Sequence, residues 1–177
     1  VGFLRRQAGP LMHDSLQTGM LLPHRREATF TACLLFMLSA TTLAAASQHF
    51  GLLWVAVEAS TLAGAPLIFF TRSKRSLEAT WKYLVLCSVG IALALLGNFF
   101  LAVALGHGHE HVSMTLPELV RHGGRWNVPW LQASFLFFLV GYGSKMGLAP
   151  MHSWLPDTYS EAPSVVSALL SGALANC

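Results

Sequence analysis

The sequence predicts an all-α, multi-pass transmembrane helix bundle of about five spans, one of them discontinuous. Three observations carry that prediction. The 177 residues are 54% hydrophobic and only 11% charged, whereas a soluble domain usually has about twice that charged fraction. Mean hydropathy is +0.53, and the apolar residues gather into uncharged runs of bilayer length, several more than one soluble core needs. Two such stretches each hold a single charged side chain, Glu58 in GLLWVAVEASTLAGAPLIFF and Lys145 in FLFFLVGYGSKMGLAP. In hydrocarbon an unpaired charge costs roughly 2.5 kcal/mol on insertion scales. The lipid bilayer is therefore the first expected partner.

Residues 1–27 read as a polar cytoplasmic segment with Arg5, Arg6, Arg25, Arg26, Pro10 and Pro23. A first span, 28–47, carries no charge, and Gln48, His49 and Gly51 mark a tight turn. The second span, 51–70, contains Glu58 and Pro66; the proline removes one backbone bond and predicts a kink. A basic loop, TRSKRS, leads to the third span, 83–105. A His- and Gly-rich loop of about twenty residues follows, from Gly106 to Asn127. The fourth span, 129–150, is broken by Gly143, Gly147 and Pro150 around Lys145, and after HSWLPDTYSEAP a fifth begins at 164 and is truncated at 177. The chain opens on Val1 and stops at Cys177 inside an apolar run, the expected look of a piece of a longer membrane protein.

Orientation follows from the basic loops. Four arginines precede the first span, and Arg72, Lys74, Arg75 and Lys82 lie between the second and third, while the opposite side has only Arg121 and Arg125. Basic flanks stay in the cytoplasm, so the first span runs outward, the second inward, the third outward and the fourth inward.

The charge pattern excludes some functions. Net charge is +3, with the basic residues in short clusters rather than a stripe, so no nucleic-acid surface is expected. Cys33, Cys87 and Cys177 have no CxxC or Cys/His ligand spacing, so neither a disulfide framework nor a metal site is expected. His107, His109, Glu110 and His111 sit in an exposed glycine-rich loop, where alternating histidines are more often solvated than metal-bound.

The remaining chemistry concentrates at the two intramembrane charges. Burial disfavours the charged form of a carboxylate and of an amine alike, so a buried pair is suited to handling protons. Irregular backbone at membrane depth survives only where protein or water covers it, and broken helices in transporters put such backbone at the ion path. The plain alternative for Lys145 is a snorkelling side chain beside a glycine packing seam; for Glu58 it is a neutral carboxyl bonded to a hydroxyl such as Ser60 or Thr61. Lys82, flanked by Trp81 and Tyr83, reads as an interfacial anchor or as a mobile bridge to Glu58. His152 is either a proton carrier, since imidazole titrates near neutral pH, or a cap on the broken helix. Asp157 and Glu161 read as structural, Asp157 as a cap or a partner to a basic loop, Glu161 at a helix start.

The phrases GLLWVAVEAS, TWKYLVLCSVGIALALLG and GYGSKMGLAPMHSWLPDTYSEAPSVVSALLSGALAN resemble the antiporter-like membrane subunits of respiratory complex I, Mrp-type cation/proton antiporters and membrane-bound hydrogenases, and within these the hydrogenase-4 component F branch. The resemblance covers residues 28–177 and is most specific over 136–172. It implies a longer fold of about fourteen helices, of which this chain would hold helices four to eight. It also implies that Glu58 and Lys145 are the central ion-handling pair. One departure stands out: complex I relatives often read SALIHAAT where this chain reads SALLSGAL, with Ser171 at the histidine position, so that histidine's role does not transfer.

The expected function is an ion-translocating subunit, for H⁺ or Na⁺, in a hydrogenase-4/complex I-like oxidoreductase, beside other membrane subunits and without a cofactor of its own, since the chain offers no cluster or haem ligands. The alternatives are a stand-alone Mrp-type Na⁺/H⁺ antiporter and a structural membrane scaffold.

Overall fold

The computed structural model describes residues 24–105, 113–121 and 127–172. The polar segment before His24, the His107–His111 cluster, Arg125 and residues 173–177 lie outside the described residues.

Helix α1 (His24–Ala46) opens with Glu27 in its first turn, where a carboxylate favours the positive helix end. A turn at Ser47–His49 leads to α2 (Phe50–Ile68), whose start is capped by His49 Nδ1, the acceptor for the Gly51 amide at 3.1 Å. Pro66 lies in the last turn of α2; the helix continues two residues past it and gives way to a 3-10 turn at Phe69–Thr71. Arg72 then adopts a left-handed conformation (φ 51°). Helix α3 (Lys74–Leu105) begins earlier than hydropathy suggests. Ser73 and Ser76 cap that start reciprocally, the Ser76 amide donating to Ser73 Oγ at 2.8 Å and the Ser73 amide to Ser76 Oγ at 3.0 Å, as a capping box does. Its 32 residues extend about 48 Å, longer than the roughly 30 Å hydrocarbon core.

The stretch read as one polar loop contains a short helix, α4 (Leu116–Arg121). Thr115, Pro117 and Glu118 form a helix-start pattern that overall polarity concealed. Two backbone bonds pin its entry to the α1–α2 turn, Phe50 N to Met114 O (3.1 Å) and Leu116 N to Gln48 O (2.9 Å).

Helix α5 (Val128–Met146) carries Lys145 in its last turn, and the chain resumes as α6 (Trp154–Glu161) and α7 (Ser164–Gly172). The segment read as merely polar is thus helical from Trp154. Pro156 sits in its first turn, where its missing N–H is harmless, and Trp154 and Thr158, four residues apart, face the core.

α3 and α5 form the most extensive helix pair. There a Cβ on Gly141 would lie 2.6 Å from Ala94 N and 2.7 Å from Gly90 O, the backbone approach that small residues allow. Ser134 Oγ crosses the seam to Gly97 O at 2.9 Å. The principal core joins α1, α2, α3, α6 and α7 through Met37, Leu67, Tyr83, Trp154 and Leu170. Outside it the bundle is strongly apolar, with Leu62, Phe99 and Phe135 each more than half exposed. By length and composition three helical segments are able to cross a membrane: Arg26–Ala46, Phe50–Thr71 and Lys74–Leu105.

Candidate functional site

Lys145 is 4% exposed. Its position follows from how α5 ends. The Gly147 and Leu148 amides both turn back to Gly143 O, and Gly147 takes a left-handed conformation (φ 76°), which glycine adopts without a Cβ penalty. The helix therefore stops at Met146, one residue after Lys145, which is still on its buried face. Pro150, after a cis Ala149–Pro150 bond, lies in the connecting turn.

The Lys145 ammonium donates to Thr61 Oγ1 on α2 at 2.5 Å and to the Tyr83 hydroxyl on α3 at 3.2 Å. It also lies over the Tyr83 ring, 4.9 Å from the centroid, a cation–π arrangement. Thr61 can accept because its own proton goes to Val57 O. Trp154 walls the site from α6: its ring centroid is 5.2 Å from that of Tyr83, and its indole N–H reaches Ser144 O at 2.9 Å. Two hydroxyls from two helices thus hold one buried cation, with Trp154 from a third packed against Tyr83.

Glu58 stands one turn before Thr61 on α2, partly buried. It makes no ion pair with Lys145: among the described residues the ion pairs are Lys82–Glu78 and Lys82–Asp157. Nor is it bonded to a neighbouring hydroxyl, because Ser60 and Thr61 both donate to Val57 O and Glu58 Oε2 is buried without a hydrogen-bond partner. It remains an electrostatic neighbour of Lys145 and of the Cys87 thiol.

Lys82 does not reach into this cluster. It joins α3 to α6, holding Glu78 Oε1 and Asp157 Oδ2 at 2.8 Å each with its side chain 43% exposed. Asp157 is thereby the partner of a basic group rather than a helix cap. His152 is exposed in the connecting turn, apart from the buried cluster, and its carbonyl accepts the Leu155 amide. Ser171 is exposed on α7 and donates to Ala168 O. No group of His, Cys, Asp or Glu suited to a metal ion occurs among the described residues. Sequence reasoning passed over Tyr83 and Trp154 as site residues and treated Thr61 only as a partner for Glu58. The i, i+3 spacing of Glu58 and Thr61 was the available signal.

The family profile "NADH:quinone oxidoreductase/Mrp antiporter, TM" matches residues 47–177. The chain belongs to this family. Among its relatives, the hydrogenase-4 component F homolog of Methylacidiphilum infernorum is 40% identical over 144 residues, covering 79% of this chain and 30% of that protein. NADH-quinone oxidoreductase subunit N of Deinococcus radiodurans is 35% identical over 149 residues, 81% of this chain and 29% of that one. A chain of respiratory complex I from Thermus thermophilus superposes with TM-score 0.70 at 28% identity, over 83% of this chain and 31% of its own. A chain of the membrane-bound sulfane sulfur reductase, an archaeal respiratory membrane complex, gives TM-score 0.74 at 22% identity, over 81% and 28%, and speaks for the fold alone. This family member therefore spans under a third of the length of these curated relatives. It is a multi-pass membrane protein of the all-α class.

Proposed function

We propose that this chain is part of an ion-translocating subunit of a hydrogenase-4/complex I-like membrane oxidoreductase, moving H⁺ or Na⁺ across the cell (inner) membrane beside other membrane subunits. Five crossings are proposed, with the basic loop at Arg72–Arg75 on the cytoplasmic face. The observation that carries the reading is the buried Lys145 ammonium, held by hydroxyls from two facing helices at the end of an interrupted one. A purely structural lysine has no need of a site built from three elements, or of a carboxylate one helical turn before its Thr61 partner with an oxygen left unpartnered.

The chemistry asked of the residues is simple. Thr61 and Tyr83 hold the ammonium in a place water does not reach freely. The Glu58 carboxylate, when drawn toward it, favours the protonated amine; when withdrawn, it favours release. Electron transfer elsewhere in the complex would supply the movement, coupling the two events by their free energies.

The test is Glu58→Gln and Lys145→Met in the full-length protein within its assembled complex, reading proton or sodium flux per electron. Both variants are expected to abolish pumping while assembling normally, because Gln keeps shape and hydrogen bonding but no charge. An unchanged ratio in both makes the pair structural and favours the scaffold reading.

A further inference from the structure

Where α1 begins and α2 ends, a pocket of about 380 Å³ opens between the two helices. Its lining joins two arginines, Arg26 and Arg72, to apolar side chains that include Phe30, Pro66, Leu67 and Phe70. Among the described residues no carboxylate lines it, and neither guanidinium has an ion pair or a hydrogen bond. Arg26 lies over the Phe70 ring, 5.9 Å from the centroid, and Phe70 packs on Phe30 with centroids 4.7 Å apart. That stack holds the guanidinium by its face and leaves the N–H fork for an anion. Arg72 keeps a left-handed backbone (φ 51°), which glycine or asparagine would adopt at less cost.

The order of chemistry along the helices decides the ligand. Arg26 is the first residue of one candidate span, and Arg72 follows the last residue of the next, so both charges stand at the same membrane boundary. Deeper positions turn apolar. On α1 the face that carries Thr29 continues to Cys33 and Phe36; from the other side, Phe69 is followed inward by Pro66 and Leu62. Phe36 is 56% exposed and Leu62 58%, and each lies about 15 Å deeper than its arginine, half of a hydrocarbon core about 30 Å thick. Two cations at headgroup level above two exposed apolar lanes fit a phospholipid, its phosphate on the forks and its chains in the lanes. A soluble anion would satisfy the arginines and leave the lanes uncovered. An acidic peptide would have to carry unpaired backbone into hydrocarbon.

We propose that this pocket holds an anionic phospholipid from the leaflet that meets Arg72–Arg75, with its phosphate between Arg26 and Arg72 and its chains along Phe36 and Leu62. A zwitterionic lipid brings an ammonium that the two arginines repel, so the site selects a net negative headgroup. It shares no lining residue with the Lys145 site and stands whether or not the transport reading does.

The test places the full-length protein in nanodiscs of phosphatidylcholine seeded with phosphatidylglycerol that carries a diazirine in one acyl chain, and maps the photo-adducts by peptide mass spectrometry. Adducts are expected at Phe36 or Leu62, displaced by unlabelled phosphatidylglycerol but not by extra phosphatidylcholine or by inorganic phosphate. The double variant Arg26→Gln, Arg72→Gln is expected to lower their yield by about tenfold, and the double variant Arg26→Lys, Arg72→Lys, which keeps both charges, to retain most of it. Lys74→Gln removes a charge from the same loop outside the pocket and is expected to leave the yield near parental. Parental yield in the glutamine double variant overturns the site, as does the absence of adducts at both positions. Equal yield from a phosphatidylcholine probe, or an equal fall in Lys74→Gln, reduces the contact to general membrane attraction and overturns it too. Displacement by inorganic phosphate gives the arginines to a free anion and overturns the lipid.

Discussion

Gly141→Ala and Gly143→Ala, two residues apart on α5, should have opposite consequences. A Cβ at Gly141 would sit 2.6 Å from Ala94 N and 2.7 Å from both Ala94 Cβ and Gly90 O. Two of those atoms are backbone, so no side chain can rotate away, and α3 and α5 must part by about 1 Å to regain ordinary contact. Overpacking of that kind costs about 1–3 kcal/mol. The same movement stretches the Ser134–Gly97 bond, now 2.9 Å, and the Lys145–Tyr83 bond, now 3.2 Å, past useful length, at about 1 kcal/mol for the neutral one. Replacing a helical glycine by alanine returns up to about 1 kcal/mol. The net for Gly141→Ala is a loss of about 1–3 kcal/mol. At Gly143 the same Cβ would meet chiefly the tip of the Leu148 side chain, at 3.0 Å, which can turn aside. There the helix-propensity gain should prevail, and the net should be near zero or slightly stabilising. Denaturation of the full-length protein in mixed micelles measures both, and flux per electron should fall in Gly141→Ala alone. Equal damage from the two alanines, or none from either, would refute the close α3–α5 seam.

Thr61→Val, which keeps the shape and removes the hydroxyl, should cost the site one hydrogen bond to a charged group, about 1.5–3 kcal/mol, and slow ion flux by tenfold or more (one decade is about 1.4 kcal/mol); parental flux would mean that Thr61 is not used. Lys82→Gln and Asp157→Asn should have small effects that do not add, since both partners are nearly half exposed and such bridges are screened; fully additive effects in the double variant would show that the bridge does not form in the membrane. Cysteines placed at Ser73 and Gly108 should react with impermeant reagents from opposite faces, Ser73 from the cytoplasm, and labelling of both from one face would remove the proposed orientation.

Much of the fold was legible because membranes impose strong patterns. The three long apolar helices begin and end near the limits of the uncharged runs, apart from the early start of α3. That start is polar and capped by Ser73 and Ser76, so hydropathy cannot register it. Helices α4 and α6 were missed for a related reason. Each is short, 6 and 8 residues, and neither is long enough for an apolar period to stand out from polar neighbours.

Glu58 and Lys145 stand out from sequence alone, since one charge in an uncharged run needs no coordinates to be conspicuous and its cost in hydrocarbon is general. Sequence also placed the helix interruption beside Lys145, from the density of glycine and proline. It could not divide the work among those residues. Gly141 serves close packing and Gly147 ends the helix, a distinction that depends on which helix lies opposite. Likewise, what touches the Lys145 ammonium is set by how α2, α3 and α6 are rotated about it. Periodicity says which residues share a face, but the rotation and spacing of neighbouring helices emerge only when all of them pack together. That packing gave the lysine Thr61 and Tyr83 as partners, left Glu58 a turn away, and tied Lys82 to Asp157 outside the buried site.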